Sequence, residues 1–252
     1  EVRVLTSDPN IRFNILGGSG KDILYGGAGN DTITAGSGLS QIYGGRGDDT
    51  IYSGTGTGYI IADTGSITGT TITATGSIGG NDTIYATSGT NYVLGGAGND
   101  RIFGGGNNYI IGDNGTVTFS GSSIVSMTSA NDGVGGDDYI SNTSTGATLV
   151  AIAGLGTDLI EGGPGRDFII GDNGSMTFYL SGIVKRLQTT NDTTGSKDTI
   201  FLGNGINTAF GGAGDDEVEG GTGVNNYSLD FGFAEFDSSG TLTRFANSGP
   251  NA

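Results

Sequence analysis

The residues of this chain best placed to do chemistry are its aspartates, which recur beside glycine at fixed spacing. The pattern G-G-x-G-x-D-x-U-x, with U a large apolar residue, is complete at 17–25, 26–34, 44–52, 95–103, 162–170 and 211–219. Its aspartates are Asp22, Asp31, Asp49, Asp100, Asp167 and Asp216. Three glycines in so short a stretch allow a turn that passes through left-handed conformations and directs its carbonyls inward. The aspartate sets a carboxylate at the end of that turn. Carbonyl and carboxylate oxygens gathered together are the donor set of a hard cation, calcium above all. The candidate carbonyl donors are the turn glycines Gly45, Gly47, Gly96, Gly98, Gly163, Gly165, Gly212 and Gly214.

Charge supports that chemistry and removes others. Acidic residues outnumber basic ones 26 to 10, for a formal charge of −16, and only five of the acids are Glu. Such a polyanion is a poor partner for nucleic acid or an anionic membrane. With no Cys and no His, there is no disulfide, thiolate site, imidazole zinc site or Ser-His-Asp triad. Paired carboxylates hydrolyse glycosides in some enzymes, but Glu1, Glu161, Glu217, Glu219 and Glu235 are scattered and nearly every Asp has a place in the repeat. The chain is therefore not expected to be an enzyme. Gly20-Lys21 is followed by Asp22 rather than Ser or Thr, so it is no phosphate loop. No run approaches the ~20 apolar residues of a membrane-spanning helix. The chain opens at Glu1 with neither Met nor a leader, and is read as processed or excerpted.

The elements that position the aspartates are short strands. Each x-U-x triplet carries one large inward residue: Leu24, Ile33, Ile51, Ile102, Ile169 or Val218. Six copies in phase, two of them in tandem, resemble the RTX (repeats-in-toxin) family of hemolysin-type calcium-binding repeats. The resemblance implies an all-β fold, a parallel β-roll (a right-handed β-solenoid) in which two nonapeptides make one coil. Turns 18 residues apart then stack on one edge, with Ca2+ between them.

Degenerate copies extend the pattern into four super-repeats. The aspartate position reads Asp31, Ser40, Asp49, Gly58; then Asp82, Asn91, Asp100, Asn108. It continues Asp138, Thr148, Asp158, Asp167, and ends Asp198, Asn207, Asp216, Asn225. In the implied coil, Asp31 faces Asp49, Asp82 faces Asp100, Asp138 faces Asp158 and Asp198 faces Asp216. Calcium is expected chiefly on that edge, and an ion-free Asn ladder on the other.

A second motif closes each super-repeat: Ile60-Ile61-Ala62-Asp63, Ile110-Ile111-Gly112-Asp113 and Ile169-Ile170-Gly171-Asp172, with a diverged copy at Ser228-Leu229-Asp230. Alternating segments follow each copy and read as hairpins projecting from the roll. Asn131-Asp132 and Asn191-Asp192 return near the hairpin bases, so Asp113 with Asp132, and Asp172 with Asp192, are candidates for a second cation site, with Asp63 the counterpart in the first module. Against this, Asp-Asn-Gly is also a plain hairpin signal. Tyr25, Tyr43, Tyr52 and Tyr85 fall on outward strand positions, as β-propensity alone would place them. The organisation is one elongated domain over 1–252, with modules at about 17–80, 81–136, 137–196 and 197–252; no long helix is expected.

The function this favours is that of a calcium-stabilised extracellular repeat protein: a fibre, surface-layer or adhesin-stalk segment that associates with itself end to end. Rival readings are a ligand- or glycan-binding adhesion module with the hairpins as contact surface, and the calcium roll of a secreted hydrolase. The family resemblance implies bacterial type I secretion.

Overall fold

The computed structural model describes residues 2–3, 7–86, 88–130, 133–190 and 195–247. The x-U-x triplets do form strands, and successive strands alternate between two parallel sheets. One sheet has ten strands, from Val2–Arg3 to Gly223–Ser228; the other has nine, from Asn14–Leu16 to Glu217–Gly220. Register is strict. On the nine-strand sheet Ile33, Ile51, Ile84, Ile102, Ile140, Ile160 and Ile200 align, with Ile15 and Val218 at the ends. β-branched side chains suit this pleated surface. The column faces Leu24, Ile42, Ile60, Val93, Ile110, Ala151, Ile169 and Ala209 of the ten-strand sheet, and the two form the thin core of the roll. No helix occurs among the described residues.

The hairpins form where expected, but they do not project. Gly65–Ile67 with Thr71–Ala74, Gly115–Ser120 with Ser123–Ser129, Gly174–Phe178 with Val184–Thr189, and Gly232–Phe236 with Leu242–Asn247 each pair antiparallel. Neighbouring hairpins then pair with one another across modules, giving one eight-strand antiparallel sheet. This sheet lies over the ten-strand sheet as a third layer. Its inward residues, among them Ile72, Val117, Phe119, Met127, Met176 and Leu187, bury against Ile61, Leu94, Ile111, Ile152, Ile170 and Phe210. A projecting hairpin would leave that apolar face in water, and folding back removes it.

The third layer explains the double isoleucines. From Thr57–Ile61 to Asp167–Ile170 the ten-strand sheet is covered on both faces, so its strands end in consecutive apolar residues. Ile60, Ile110 and Ile169 point into the roll, while Ile61, Ile111 and Ile170 point into the hairpin layer. The outward tyrosines divide accordingly. Tyr52 and Tyr85 stack at 4.8 Å on the nine-strand sheet. Tyr43, stacked on Tyr25 at 4.5 Å, packs against the hairpin layer, and its hydroxyl accepts the N–H of Ile67 at 3.0 Å.

Candidate metal centre

Each turn from the ten-strand to the nine-strand sheet ends on an aspartate just before its strand, and stacking brings these aspartates together. They do not stay as four separate pairs. Asp31, Asp49, Asp82, Asp100, Asp138, Asp158, Asp198 and Asp216 form one continuous column, because the hairpin insertions leave the turns stacked. The main-chain N–H of each aspartate donates to Oδ1 of the next at 2.7 to 2.9 Å, and Phe13 donates to Asp31 in the same way. Every Oδ2 in the column is buried without a hydrogen-bond partner.

Those oxygens meet carbonyls rather than donors. A Cβ on Gly26 would lie 2.7 Å from Asp31 Oδ2 and 2.3 Å from the Gly44 carbonyl oxygen. At Gly44 the neighbours are Asp49 Oδ2 at 2.5 Å and the Ala62 oxygen at 2.0 Å; at Gly95 they are Asp100 Oδ2 at 2.3 Å and the Gly112 oxygen at 2.0 Å. Gly112, Gly171 and Gly211 repeat the arrangement with Asp138, Asp198 and Asp216. Six of the eight levels have glycine at this position, where a Cβ would crowd the cradle; Ala62 and Ala153 hold the same place before Asp82 and Asp158. Buried carboxylate oxygens converging with carbonyls, and with no proton to share, are what a hard cation satisfies. Among the described residues no three acidic side chains gather on one point, so carbonyls must supply much of any coordination shell.

Electrostatics point the same way. In the metal-free chain burial, followed by the neighbouring carboxylates, pushes Asp49 and Asp198 up to about 9. Burial holds Asp82 at about 8 and Asp158 at about 7, and takes Asp100 and Asp138 well above the ordinary carboxylate value. In each case hydrogen bonding from the ladder N–H opposes the rise but does not cancel it.

An outer ladder runs beside the buried one, and sequence reasoning missed it. Asn30, Asp48, Asn81, Asn99 and Asp137 occupy the position just before the first five column aspartates. Here the N–H of Asp48, Asn81, Asn99, Asp137 and Thr157 donates to the side-chain oxygen of the preceding level at 2.7 to 3.1 Å. The two ladders run in opposite senses, so each turn is held from both neighbours. The signal was legible as Asn or Asp before Asp31, Asp49, Asp82, Asp100 and Asp138.

The opposite edge is built from amides. Asn91 Nδ2 donates to Asn108 Oδ1 at 3.1 Å, and Asn207 Nδ2 to Asn225 Oδ1 at 2.9 Å. Asp167 bridges two levels, accepting the Leu149 N–H at 3.1 Å on Oδ1 and donating its own N–H to Asn207 at 3.0 Å; its Oδ2 is buried without a partner. Asp22 closes its own turn by accepting the Gly18 N–H at 2.7 Å. One assignment shifts. Leu149, not Thr148, aligns with Asn108 and Asp167, and its side chain enters the core. The turn before it is three residues longer than the one in the preceding level and two longer than the one in the next, which displaced the count.

Of the glycines singled out, Gly45, Gly47, Gly96, Gly98, Gly212 and Gly214 lie in turns on the aspartate-column edge; Gly163 and Gly165 lie on the other. Gly96 and Gly98 have φ of 112° and 119°, which presents the intervening Ala97 N–H to a carboxylate. That carboxylate is Asp63: Oδ2 accepts from Ala97 at 2.6 Å and Oδ1 from Gly80 at 3.2 Å. Asp113 accepts from Gly136 and Leu155 likewise, and Asp172 from Ala213. The three thus tie the chain leaving each hairpin, or the next coil, to the hairpin's start. Asp132 and Asp192 lie outside the described residues.

The comparisons follow this geometry. A family model described as the RTX calcium-binding nonapeptide repeat (4 copies) matches residues 14–39, 35–60, 78–111, 85–119, 151–175 and 192–227, together more than half of the chain. No curated protein and no solved structure matches it. Stacked glycine turns, a buried aspartate column and these matches agree: the chain belongs to the RTX calcium-binding repeat family and is a calcium-binding β-roll.

Proposed function

We propose that the chain is a calcium-rigidified structural segment of a secreted bacterial protein: a fibre, surface-layer or stalk element without catalytic activity of its own. The observation that carries this is the unbroken aspartate column, whose buried Oδ2 atoms lack any donor. Calcium ions between successive levels, held by Oδ2 of Asp31, Asp49, Asp82, Asp100, Asp138, Asp158, Asp198 and Asp216 with turn carbonyls, would cancel the repulsion along the edge and clamp coil to coil. Asp167, in a complete turn, is the candidate on the other edge. Binding then supplies folding free energy that the thin core does not. A calcium-poor cytosol keeps such a chain unfolded for export, and external calcium folds it.

The end coils favour association. The strands Asn14–Leu16, Glu217–Gly220 and Gly223–Ser228 stand at sheet edges, and Val224, Tyr227 and Leu229 are exposed on the last coil. Open edges and exposed apolar residues accept a further strand, so a second copy or adjoining polypeptide extends the stack head to tail.

Circular dichroism of the full chain, with chelator and then with millimolar calcium, tests the central reading. The expected result is loss of the β-spectrum in chelator and its return with calcium. A spectrum unchanged in a metal-free sample overturns it.

A further inference from the structure

The outer face of the hairpin sheet carries an ordered array that the calcium sites do not use. Cross-strand register aligns Thr73, Thr116, Thr128 and Ser175 in one row. Thr71, Thr118, Ser126 and Thr177 form a second row beside it. Their strand neighbours Ile72, Val117, Met127 and Met176 are buried, so the hydroxyl rows face away from the roll. Cross-strand neighbours stand ~5 Å apart and next-but-one residues ~7 Å apart.

At its C-terminal end the second row changes character. Thr177 pairs with Arg186, Arg186 with Glu235 and Glu235 with Arg244. A cleft of about 490 Å³ opens there, lined by Thr177, Tyr179, Lys185, Arg186, Glu235 and Thr243. Such a volume lies within the ~300–1,000 Å³ of small-ligand sites. Its parts are held in place. Tyr179 donates its hydroxyl to the Phe236 carbonyl at 3.0 Å, and Lys185 Nζ lies 5.8 Å from the Tyr179 ring. Arg186 is bonded to Glu235 and Gln188, and its guanidinium lies 4.2 Å from the Phe233 ring centroid; that of Arg244 lies 4.6 Å from it.

Three of the ten basic residues of a −16 chain thus lie on Val184–Thr189 and Leu242–Asn247, the two strands that flank Gly232–Phe236. Only Arg186 has a carboxylate within ion-pair distance among the described residues; Lys185 and Arg244 have none. We propose that this cleft binds an anionic sugar unit, carboxylated or sulfated, of a polysaccharide whose neighbouring units lie along the hydroxyl rows. Lys185, which lines the cleft, and Arg244, next in sequence to the lining residue Thr243, supply the positive charge, Tyr179 a ring to pack against, and the Ser and Thr hydroxyls both donate and accept, as sugar hydroxyls require. Calcium on the aspartate column lowers the chain's overall repulsion of a polyanion.

The test is calorimetry on the full calcium-loaded chain with four probes: tetragalacturonate, a sulfated galactose tetramer, the neutral galactose tetramer and hexaglutamate. At least one acidic tetrasaccharide is expected to bind ~10-fold or more tighter than the neutral tetramer and hexaglutamate, and which one does distinguishes carboxylate from sulfate recognition. Lys185→Ala with Arg244→Ala should remove that advantage while leaving the calcium-dependent spectrum intact, and Lys21→Ala should change nothing. Failure of both acidic tetrasaccharides to bind, equal binding of the neutral tetramer or of hexaglutamate, or indifference to the double variant overturns the proposal.

Discussion

Each column aspartate divides its work between two oxygens: Oδ1 accepts a main-chain N–H, and Oδ2 is buried with no hydrogen-bond partner. Two substitutions separate these tasks at Asp100. Asn keeps an acceptor for the Asp82 N–H but removes the charge, so Asp100→Asn should lower calcium stoichiometry while keeping the ladder bond. Asp100→Ala also strands that N–H, a further loss of about 1–3 kcal/mol. Calorimetric titration and denaturant unfolding of both variants check this. On the other edge, Asn91→Ala removes one inter-level bond, for about 1 kcal/mol, with calcium stoichiometry unchanged. Protonation gives a second residue-scale prediction. Burial raises Asp82 to about 8, and Asp49 and Asp198 to about 9, from an ordinary 3.8. The metal-free fold therefore binds more protons than the unfolded chain. Its stability should be greatest below about pH 4 and fall as pH rises to about 9. With calcium the dependence should reverse in acid, since protons compete for the same oxygens. Thermal melts across this range, with and without calcium, read both signs.

At the scale of elements, the hairpins belong to the fold as firmly as the turns do. Each returns its apolar face to the ten-strand sheet, and the first three are tied at the base by a carboxylate. Asp113 accepts from Gly136, where the chain leaves the second hairpin, and from Leu155 in the next turn. Asp113→Ala should cost about 1–3 kcal/mol through these orphaned donors and speed hydrogen exchange at Gly136 and Leu155. The paired isoleucines predict two distinguishable lesions. Ile110→Ala opens the roll core and Ile111→Ala the hairpin interface, each for about 2–5 kcal/mol. Hydrogen exchange should show the first loosening both parallel sheets, and the second chiefly Gly115–Ser120 and Ser123–Ser129.

For the whole molecule, a stack of similar coils makes stability a sum over neighbours. Its free-energy balance turns on how the aspartate column is neutralised. Eight aspartates in register oppose the very stacking that the isoleucine column favours, and calcium converts that opposition into coil-to-coil contacts. Sedimentation of the 25.2 kDa chain at rising concentration should show oligomers in calcium and none in chelator. A monomer at high concentration in calcium would remove the head-to-tail reading and leave calcium-dependent folding untouched.

The local repeat was legible because each turn is built from residues close in sequence. Glycine spacing, the strand triplets, the hairpin positions and the facing of Asp31 with Asp49 all lie within one coil or one hairpin. Three features were settled only by contacts between distant segments. The column joins Asp49 to Asp82, Asp100 to Asp138 and Asp158 to Asp198 across insertions of unequal length, which hide the common edge. Leu149 took the place expected of Thr148 because a longer turn shifted the count, and a large apolar side chain gains by entering the core. The hairpins lie flat because each finds its partner strand in the next module and its apolar partners on the sheet beneath. Alternation specified that each had an apolar face; only tertiary packing decided what that face would meet.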